Sequence, residues 1–321
     1  MFRPAAVLAV VALAGLVLGA QAQLVTYNFG SFSMDFVTIG NAGNAAHPAE
    51  DYGAVPYRFQ MGKLEVSRFM IAEAKAAAGL GISLYDMTGY GGNGPSRPAT
   101  GISWYEAARF VNWLNTSTGH QPAYQFDATG TFALWDPAEA WSLGGENRYR
   151  HKDAFFFLPS ENEWYKAAYF DPAKSGGPGY WLYPTGSDLP PAEIAAGTAT
   201  GSAVYNQPPD QGPADVDQAG GLSPYGTMGQ GGNVLEWMES ALDGGNDTPG
   251  ENRVLRSGYW TSAAPVLQSL NRGYISPANE AHNFGFRVAA VPEPADYALL
   301  TGLALAGFAL GRSRLSSRRS R

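Results

Sequence analysis

Residues 231–240 read GGNVLEWMES, a glycine-rich turn followed directly by an apolar run that carries Glu236 and Trp237. Gly and Asn tolerate the left-handed backbone of tight turns, so the pattern predicts a turn at 231–233. Two interpretations of this stretch remain open. In the first, the turn leads into a buried strand or short helix, and Trp237 fills part of a core. In the second, backbone carbonyls and Glu236 surround a cation, because calcium prefers a mixture of carboxylate and carbonyl oxygens.

The rest of the composition indicates a loop-rich globular protein. The chain has 321 residues, with 40 Gly, 22 Pro and no Cys, and 45% of its residues are hydrophobic. This length allows one large or two ordinary domains with ample material for a core. No repeat or linker divides 23–290, so we expect one domain there. The absence of Cys excludes disulfide bonds, although an exported location would permit them.

The N-terminal segment has the pattern of a secretory signal. A single Arg3 precedes a short apolar run that ends in Ala20-Gln21-Ala22. This order of a basic residue, an apolar stretch and small residues at a cleavage site predicts a signal peptide over 1–22. The alternative is an N-terminal membrane anchor, but the run is short for a bilayer span, which needs about 20 apolar residues.

The C-terminal segment, 291–321, contains three parts in a fixed order. Val291-Pro292-Glu293-Pro294 is followed by an apolar run over 297–310 and by five Arg. This arrangement resembles the PEP-CTERM sorting signal of exopolysaccharide-producing Gram-negative bacteria. The resemblance implies an exosortase-type sorting enzyme as a partner and transient membrane insertion of the segment. A plain tail anchor with a positive cytoplasmic end is the alternative. Both interpretations predict export across the inner membrane, with a periplasmic, cell-surface or extracellular location after sorting.

The charge of the predicted domain argues against nucleic acid as a partner. Without the two terminal segments, 15 basic and 26 acidic residues remain, so the net charge is about −11. Nucleic-acid binding depends on a basic surface that neutralises phosphates. A negative domain is instead compatible with cation binding.

Local patterns predict a few strands and a first helix. Alternating residues rich in Val, Phe and Tyr predict strands within 24–41 and 57–66. A helix is expected to follow Ser67. The residues expected on its buried face are Met70, Ala74 and Ala77.

Two further helices have clear starting signals. Ser103 with Glu106, and Ser160 with Glu163, form capping boxes in which a serine and a glutamate three residues later satisfy free backbone N–H groups. The long stretch 171–232 is rich in Gly, Pro and Ala, so irregular, surface-covering loops are expected there.

Six motifs occur in an order that identifies a family. They are KLEVS at 63–67, ISWYEAA at 102–108 with NWL at 112–114, LPSENEW at 158–164, GNVLEW at 232–237, RVLRSGYW at 253–260 and GFRV at 285–288. These resemble K-x-E-V-T, V-S-W-x-D-A-x-x-F-x-x-W-L, L-P-T-E-A-E-W, G-N-V-W-E-W, R-V-x-R-G-G-S-W and G-F-R of the formylglycine-generating enzyme, or sulfatase-modifying factor, family. The resemblance implies an α+β, C-type-lectin-like fold with small twisted sheets, few helices and long ordered loops.

The resemblance does not imply that this chain has the oxidase activity of the family. The oxidases convert a substrate Cys to formylglycine with two active-site Cys that bind copper, and soft thiolates are the ligands that Cu(I) prefers. Alignment on the motif at 253–260 puts Ser262 and Leu267 at those two positions. We therefore expect no copper. No nucleotide-binding glycine pattern is present, and neither haem nor a nucleotide is expected.

The resemblance also implies a calcium site at the opening stretch. In the family, the turn supplies two carbonyls and a carboxylate, which correspond here to Gly232, Val234 and Glu236. An Asn or Asp three residues before the turn glycine supplies a further ligand, and that position is Gly229 in this chain. Because Gly has no side-chain oxygen, the sequence predicts an incomplete and weak calcium site.

The family's active-site groove is the expected ligand-binding surface. It would be lined by Trp260, Ser262, Asn271, Arg272 and Tyr274. The Arg272 guanidinium is suited to hold a carboxylate or an acidic sugar, and a structural ion pair is the alternative role.

The sequence thus predicts an exported, non-catalytic binding or structural module at the cell surface or in the exopolysaccharide matrix, with a polysaccharide or an exported protein as partner. Loops on a rigid scaffold commonly carry recognition. Two alternatives remain open. One is an enzyme with non-copper chemistry in the same groove. The other is an accessory protein that binds an exported peptide or protein.

Overall fold

The computed structural model describes residues 23–291. The predicted signal peptide over 1–22 and, apart from Val291, the predicted sorting segment over 291–321 lie outside the described residues. Three α-helices and two short 3₁₀ turns occur within the described range. The helices are α1 (Arg68–Ala78), α2 (Trp104–Ser117) and α3 (Glu161–Tyr169), and the 3₁₀ turns are Pro209–Gln211 and Ala264–Leu267. Among the described residues, no helix is both long and apolar enough to span a membrane.

The strands are short, as the loop-rich composition predicts. The first nine are β1 (Leu24–Asn28), β2 (Ser33–Ile39), β3 (Phe59–Gly62), β4 (Gln125–Phe126), β5 (Phe132–Ala133), β6 (Ala140–Trp141), β7 (Asn147–His151), β8 (Phe156–Phe157) and β9 (Phe170–Asp171). The other eight are β10 (Gly179–Tyr180), β11 (Ala192–Glu193), β12 (Ser202–Ala203), β13 (Leu235–Ala241), β14 (Arg253–Arg256), β15 (Gly273–Ile275), β16 (Phe284–Gly285) and β17 (Ala289–Ala290).

Two sheets organise the domain. The larger has the order β1-β2-β3-β17-β8 and is antiparallel throughout. The second has the order β15-β14-β13-β16, in which β13 and β16 are parallel and the other pairs are antiparallel. The last strand, β17, lies between β3 and β8, so the end of the domain is fixed against its beginning.

All three helices begin at the predicted serines. The side chain of Ser67 accepts a hydrogen bond from the Met70 N–H, and both predicted capping boxes are fully formed. The predicted buried face of α1 was wrong in part, because its buried residues are Ile71 and Ala74. The segment is so rich in Ala that the spacing of its larger side chains does not define one face.

The core is rich in aromatic side chains, and the opening stretch supplies part of it. Trp104, Trp164, Trp237 and Trp260 are all fully buried. Trp237 lies on β13 and donates from Nε1 to the Ile102 carbonyl at 2.7 Å. Buried indole N–H groups need such partners. This stretch therefore forms a buried strand whose Trp237 fills the core, as the first interpretation predicts.

The segment 171–232 is not simply a surface cover. It contains short paired strands, and Ala203, Val204 and Tyr205 are buried in two small apolar clusters. The sequence did not reveal this role of segment 171–232, because the runs that supply the buried side chains are short and lie between many Gly and Pro residues.

Candidate functional site around the glycine-rich turn

The turn before β13 is held by the side chain of its own asparagine. Asn233 adopts a left-handed backbone conformation with φ of 59°. Its Nδ2 donates to Glu65 Oε2 at 2.6 Å, and its Oδ1 accepts from the Ala214 N–H at 2.8 Å. The side chain thus ties the turn to two distant segments of the chain.

The Glu236 carboxylate is part of a buried ion pair. It accepts from Arg287 Nε at 2.6 Å and from an Arg287 terminal nitrogen at 2.6 Å, and Trp164 Nε1 donates to it at 2.7 Å. Both charged side chains are fully buried. Arg287 also donates to the carbonyls of Gly62 and Met228 at 3.0 and 2.8 Å. Because the two charges are paired with each other and hydrogen-bonded to further groups, the protein can bury both of them.

A second carboxylate lies beside this pair. Glu65 is 1% exposed, and its Oε1 has no hydrogen-bond partner within the described part of the chain. Burial raises the pKa of the Glu65 carboxyl well above its usual range, and the nearby Glu236 charge adds to the effect. A Cβ at Gly229 would lie 3.1 Å from the Glu65 carboxyl carbon. Glu65 therefore fills the space in which an Asn or Asp side chain at position 229 would lie.

Ser257 closes the turn from the other side. Its Oγ lies 2.9 Å from the Gly232 carbonyl oxygen, 3.2 Å from the Gly229 carbonyl oxygen and 3.1 Å from the Gly232 N–H nitrogen. The residue is 3% exposed. Its hydroxyl both accepts from the turn and donates to it.

Two of the three predicted calcium ligands already have partners within the described residues. The Glu236 carboxylate already accepts three hydrogen bonds, and the Gly232 carbonyl already faces the Ser257 hydroxyl. The Gln230 side chain, which also lies beside the turn, is hydrogen-bonded at both ends. Its Oε1 accepts from the Thr227 hydroxyl, and its Nε2 donates to the Trp164 carbonyl. Within residues 23–291, no group of three or more His, Cys, Asp or Glu side chains is placed to hold a metal ion. Calcium takes six to eight oxygen ligands, and the Glu65 Oε1 beside this turn has no hydrogen-bond partner among the described residues. Calcium at this turn therefore stays a prediction.

The two positions that align with the family's cysteines are packed into the protein. Ser262 is 7% exposed, and its Oγ accepts from the Tyr259 N–H at 3.0 Å. Leu267 is fully buried in an apolar cluster with Tyr183 and Tyr205. A hydroxyl and an isobutyl group in these places supply no soft ligand.

The predicted groove residues do not share one environment. Trp260 is fully buried, and its Nε1 donates to the Pro209 carbonyl at 3.2 Å. Arg272 donates to both carboxylate oxygens of Glu161 at 2.9 and 2.7 Å, which is the structural ion pair left open above. Asn271 and Tyr274 are exposed. The structure therefore leaves only the last two fully available to a ligand.

An exposed group of aromatic rings beside Trp260 was missed in the sequence. The Tyr90 and His282 rings stack with their centroids 4.5 Å apart and an interplanar angle of 14°. The centroid of the Tyr85 ring lies 5.8 Å from that of His282. The buried Trp260 ring packs against this group, with its centroid 5.6 Å from that of His282. Tyr85 is 42% exposed, and the other two rings are half-buried. We call Tyr85, Tyr90 and His282 the aromatic patch; no sequence signal links residues so far apart.

Comparison with known proteins identifies the family. The profile of the sulfatase-modifying factor enzyme 1-like domain matches residues 20–291, and the chain belongs to this family. Over 207 residues it is 30% identical to the serine/threonine-protein kinase pkn1 of Chlamydia pneumoniae, which covers 60% of this chain. The match spans 24% of that relative, so only about a quarter of the kinase's length is represented here.

Solved structures confirm the fold. Treponema denticola variable protein 1 is similar with a TM-score of 0.57 and 22% identity, covering 84% of this chain and 99% of that one. PvdO from Pseudomonas aeruginosa has a TM-score of 0.53 and 17% identity, with coverages of 84% and 98%. CarF has a TM-score of 0.52 and 20% identity, with coverages of 81% and 99%. The predicted α+β fold of the formylglycine-generating-enzyme type is therefore confirmed.

Proposed function

We propose that this family member is an exported, non-catalytic binding or structural module at the cell surface or in the exopolysaccharide matrix. The observation that carries the proposal is the loss of the thiol chemistry. The chain has no Cys, and a bonded serine and a buried leucine, Ser262 and Leu267, occupy the aligned positions. Without thiolates the chain lacks the side chains that hold Cu(I) in the family's oxidases.

Export is supported by the patterns at the two ends of the sequence. The segment 1–22 would direct the chain across the inner membrane, and 291–321 would present it to an exosortase-type enzyme. Fractionation of cells that express the full chain, or a variant lacking 291–321, tests this step. The full chain is expected in the envelope or the medium, and the truncated chain is expected to be missorted. Recovery of both forms in the cytoplasm would contradict export.

The aromatic patch is the surface that we assign to ligand binding. Exposed rings offer apolar faces to the C–H faces of sugars, while their polar edges remain hydrated. Burial lowers the pKa of His282, which favours its uncharged form at neutral pH. With a net charge of about −11 over the domain, an acidic polymer would be repelled. The ligand that fits is therefore an uncharged stretch of exopolysaccharide.

Binding of the full chain to purified, uncharged exopolysaccharide from an exosortase-containing bacterium tests this assignment. Tyr85→Ala removes the most exposed ring of the patch, whereas Phe69→Ala removes a ring outside it that is 41% exposed, against 42% for Tyr85. Polymer retention in affinity electrophoresis should fall about fivefold for Tyr85→Ala and stay unchanged for Phe69→Ala, since one stacked ring contributes on the order of 1 kcal/mol. Equal retention of both variants, or no retention of the parent chain, would contradict the assignment.

A further inference from the structure

A cavity that shares no residue with the aromatic patch lies between the start of α3 and the β6–β7 hairpin. Its volume is about 180 Å³, and four segments of the chain line it, 54–57, 141–150, 160–162 and 240–246. Pockets for drug-sized molecules have volumes of about 300–1,000 Å³. This cavity therefore has room for a ligand of about one ring.

Three polar side chains that line the cavity have unused hydrogen-bond donors. Ser240 is 9% exposed, and its Oγ accepts a backbone N–H of α3 at 2.9 Å. Asn162 Oδ1 likewise accepts a backbone N–H at 2.9 Å, and Ser160 Oγ accepts one at 3.3 Å. Within residues 23–291, neither hydroxyl proton has an acceptor, and neither has the Asn162 Nδ2 group. Donors without acceptors around one cavity favour a ligand with several oxygen atoms.

The cavity also offers an acceptor and an apolar wall. The exposed Glu146 carboxylate has no hydrogen bond or ion pair within the described part of the chain. The Tyr57 and Trp141 rings line the cavity and pack edge to face, with their centroids 5.5 Å apart. A sugar ring combines hydroxyl groups, which both donate and accept, with C–H faces that pack against aromatic rings. These groups together match that chemistry.

The charges around the cavity argue against an acidic ligand. Among the described residues that line it, Arg150 is the only basic one. Its guanidinium donates to the Glu163 and Glu239 carboxylates at 2.6 to 3.1 Å. One guanidinium faces two carboxylates there, and Glu146 adds a third negative charge. A carboxylate or phosphate in the cavity would therefore be repelled and would find no free cation.

We propose that this cavity is a binding site for one uncharged sugar ring. Ser160, Asn162 and Ser240 donate to its oxygen atoms, and Glu146 accepts from a hydroxyl. The Tyr57 and Trp141 rings contact its C–H face. The site is separate from the aromatic patch, so it does not depend on the role proposed for that surface.

Saturation-transfer NMR on the full chain tests the proposal with D-glucose, D-galactose, D-mannose and N-acetyl-D-glucosamine, each added alone at millimolar concentration. At least one of the four should receive saturation from the protein. D-glucuronate, which differs from glucose only by its carboxylate, should receive less than glucose or none. No saturation of any of the four sugars, or stronger saturation of glucuronate than of glucose, would overturn the proposal.

A pair of tryptophan variants locates the bound sugar. Ala54→Trp fills the cavity from an exposed position that lines it, whereas Ala76→Trp adds the same ring at an exposed position of α1. Saturation of the sugar should fall sharply in Ala54→Trp and stay unchanged in Ala76→Trp and in Tyr85→Ala. Equal saturation in the two tryptophan variants, or a loss in Tyr85→Ala, would overturn the proposal. If Ala54→Trp does not fold, Asn162→Ala replaces it with the same expected loss, because it removes the unused amide donor.

Discussion

The buried pair of Glu236 and Arg287 gives the sharpest stability prediction. Glu236→Gln preserves the size of the side chain but removes its charge, so that the fully buried Arg287 guanidinium loses the partner it contacts at 2.6 Å. Removing one member of a buried pair costs about 3–5 kcal/mol, because the other charge is left uncompensated. Against a total stability of about 5–15 kcal/mol for a domain, this is a large fraction. We therefore expect Glu236→Gln to lose about 3 kcal/mol or more.

Urea unfolding followed by tryptophan fluorescence measures this loss, since four tryptophans are fully buried. Arg272→Gln is the matched control. The Arg272 side chain is 24% exposed, and its partner Glu161 keeps a second, buried partner in Arg256. The control should therefore lose only about 1 kcal/mol, as partly exposed pairs do. A loss below about 1 kcal/mol for Glu236→Gln, or equal losses for the two variants, would refute this reasoning.

Three further predictions concern other parts of the fold. Ser160→Ala should lower the free energy of unfolding by about 1 kcal/mol in urea titrations, because it removes a formed capping box; an unchanged midpoint would contradict this. Gly229→Ala should lose more stability than Gly30→Ala. Both glycines have a positive φ, but only a Cβ at position 229 would contact the Glu65 carboxylate. Equal losses of stability would show that this contact is unimportant. Burial lowers the pKa of Lys166 to about 8 from 10.5, so above pH 8 the unfolded chain holds a proton that the folded chain has released. The free energy of unfolding of the parent should therefore rise relative to Lys166→Met by about 1 kcal/mol per pH unit between about pH 8 and pH 9.5, and parallel pH profiles would contradict the assignment.

Local signals in the sequence were the reliable ones. The serines that begin the helices act on backbone groups within three residues, so their role depends little on the rest of the fold. The order of six motifs was sufficient to predict the family and its fold. For Trp237, the neighbouring residues in the sequence left both a buried strand and a cation-binding turn open, and the structure shows the buried strand.

The contacts that define the site are not local, and the sequence did not reveal them. Glu236 and Arg287 are separated by 51 positions, and Asn233 and Glu65 by 168. Each of these residues was visible as a motif member, but the partner of each was not. The predicted calcium ligands illustrate the difficulty, since Glu236 has the expected identity and position while its carboxylate is bonded to a guanidinium.

The sequence analysis did not single out Ser257, which stands where R-V-x-R-G-G-S-W has Gly. The structure gives this serine a positive φ of 96° and places its hydroxyl 2.9 Å from the Gly232 carbonyl oxygen. The aromatic patch left no clue in the sequence, because its rings come from two loops that meet only in the folded domain.

A direct assay for formylglycine tests the central claim that this family member is not an oxidase. The full chain would be incubated with copper, oxygen and a sulfatase-derived peptide that carries its cysteine, and the peptide would be analysed by mass spectrometry beside an active family oxidase. Because no thiolate is present to hold Cu(I), we predict no formylglycine above the protein-free blank and no stoichiometric copper on the protein. Conversion of the peptide by this chain, at any level above the blank, would contradict the account.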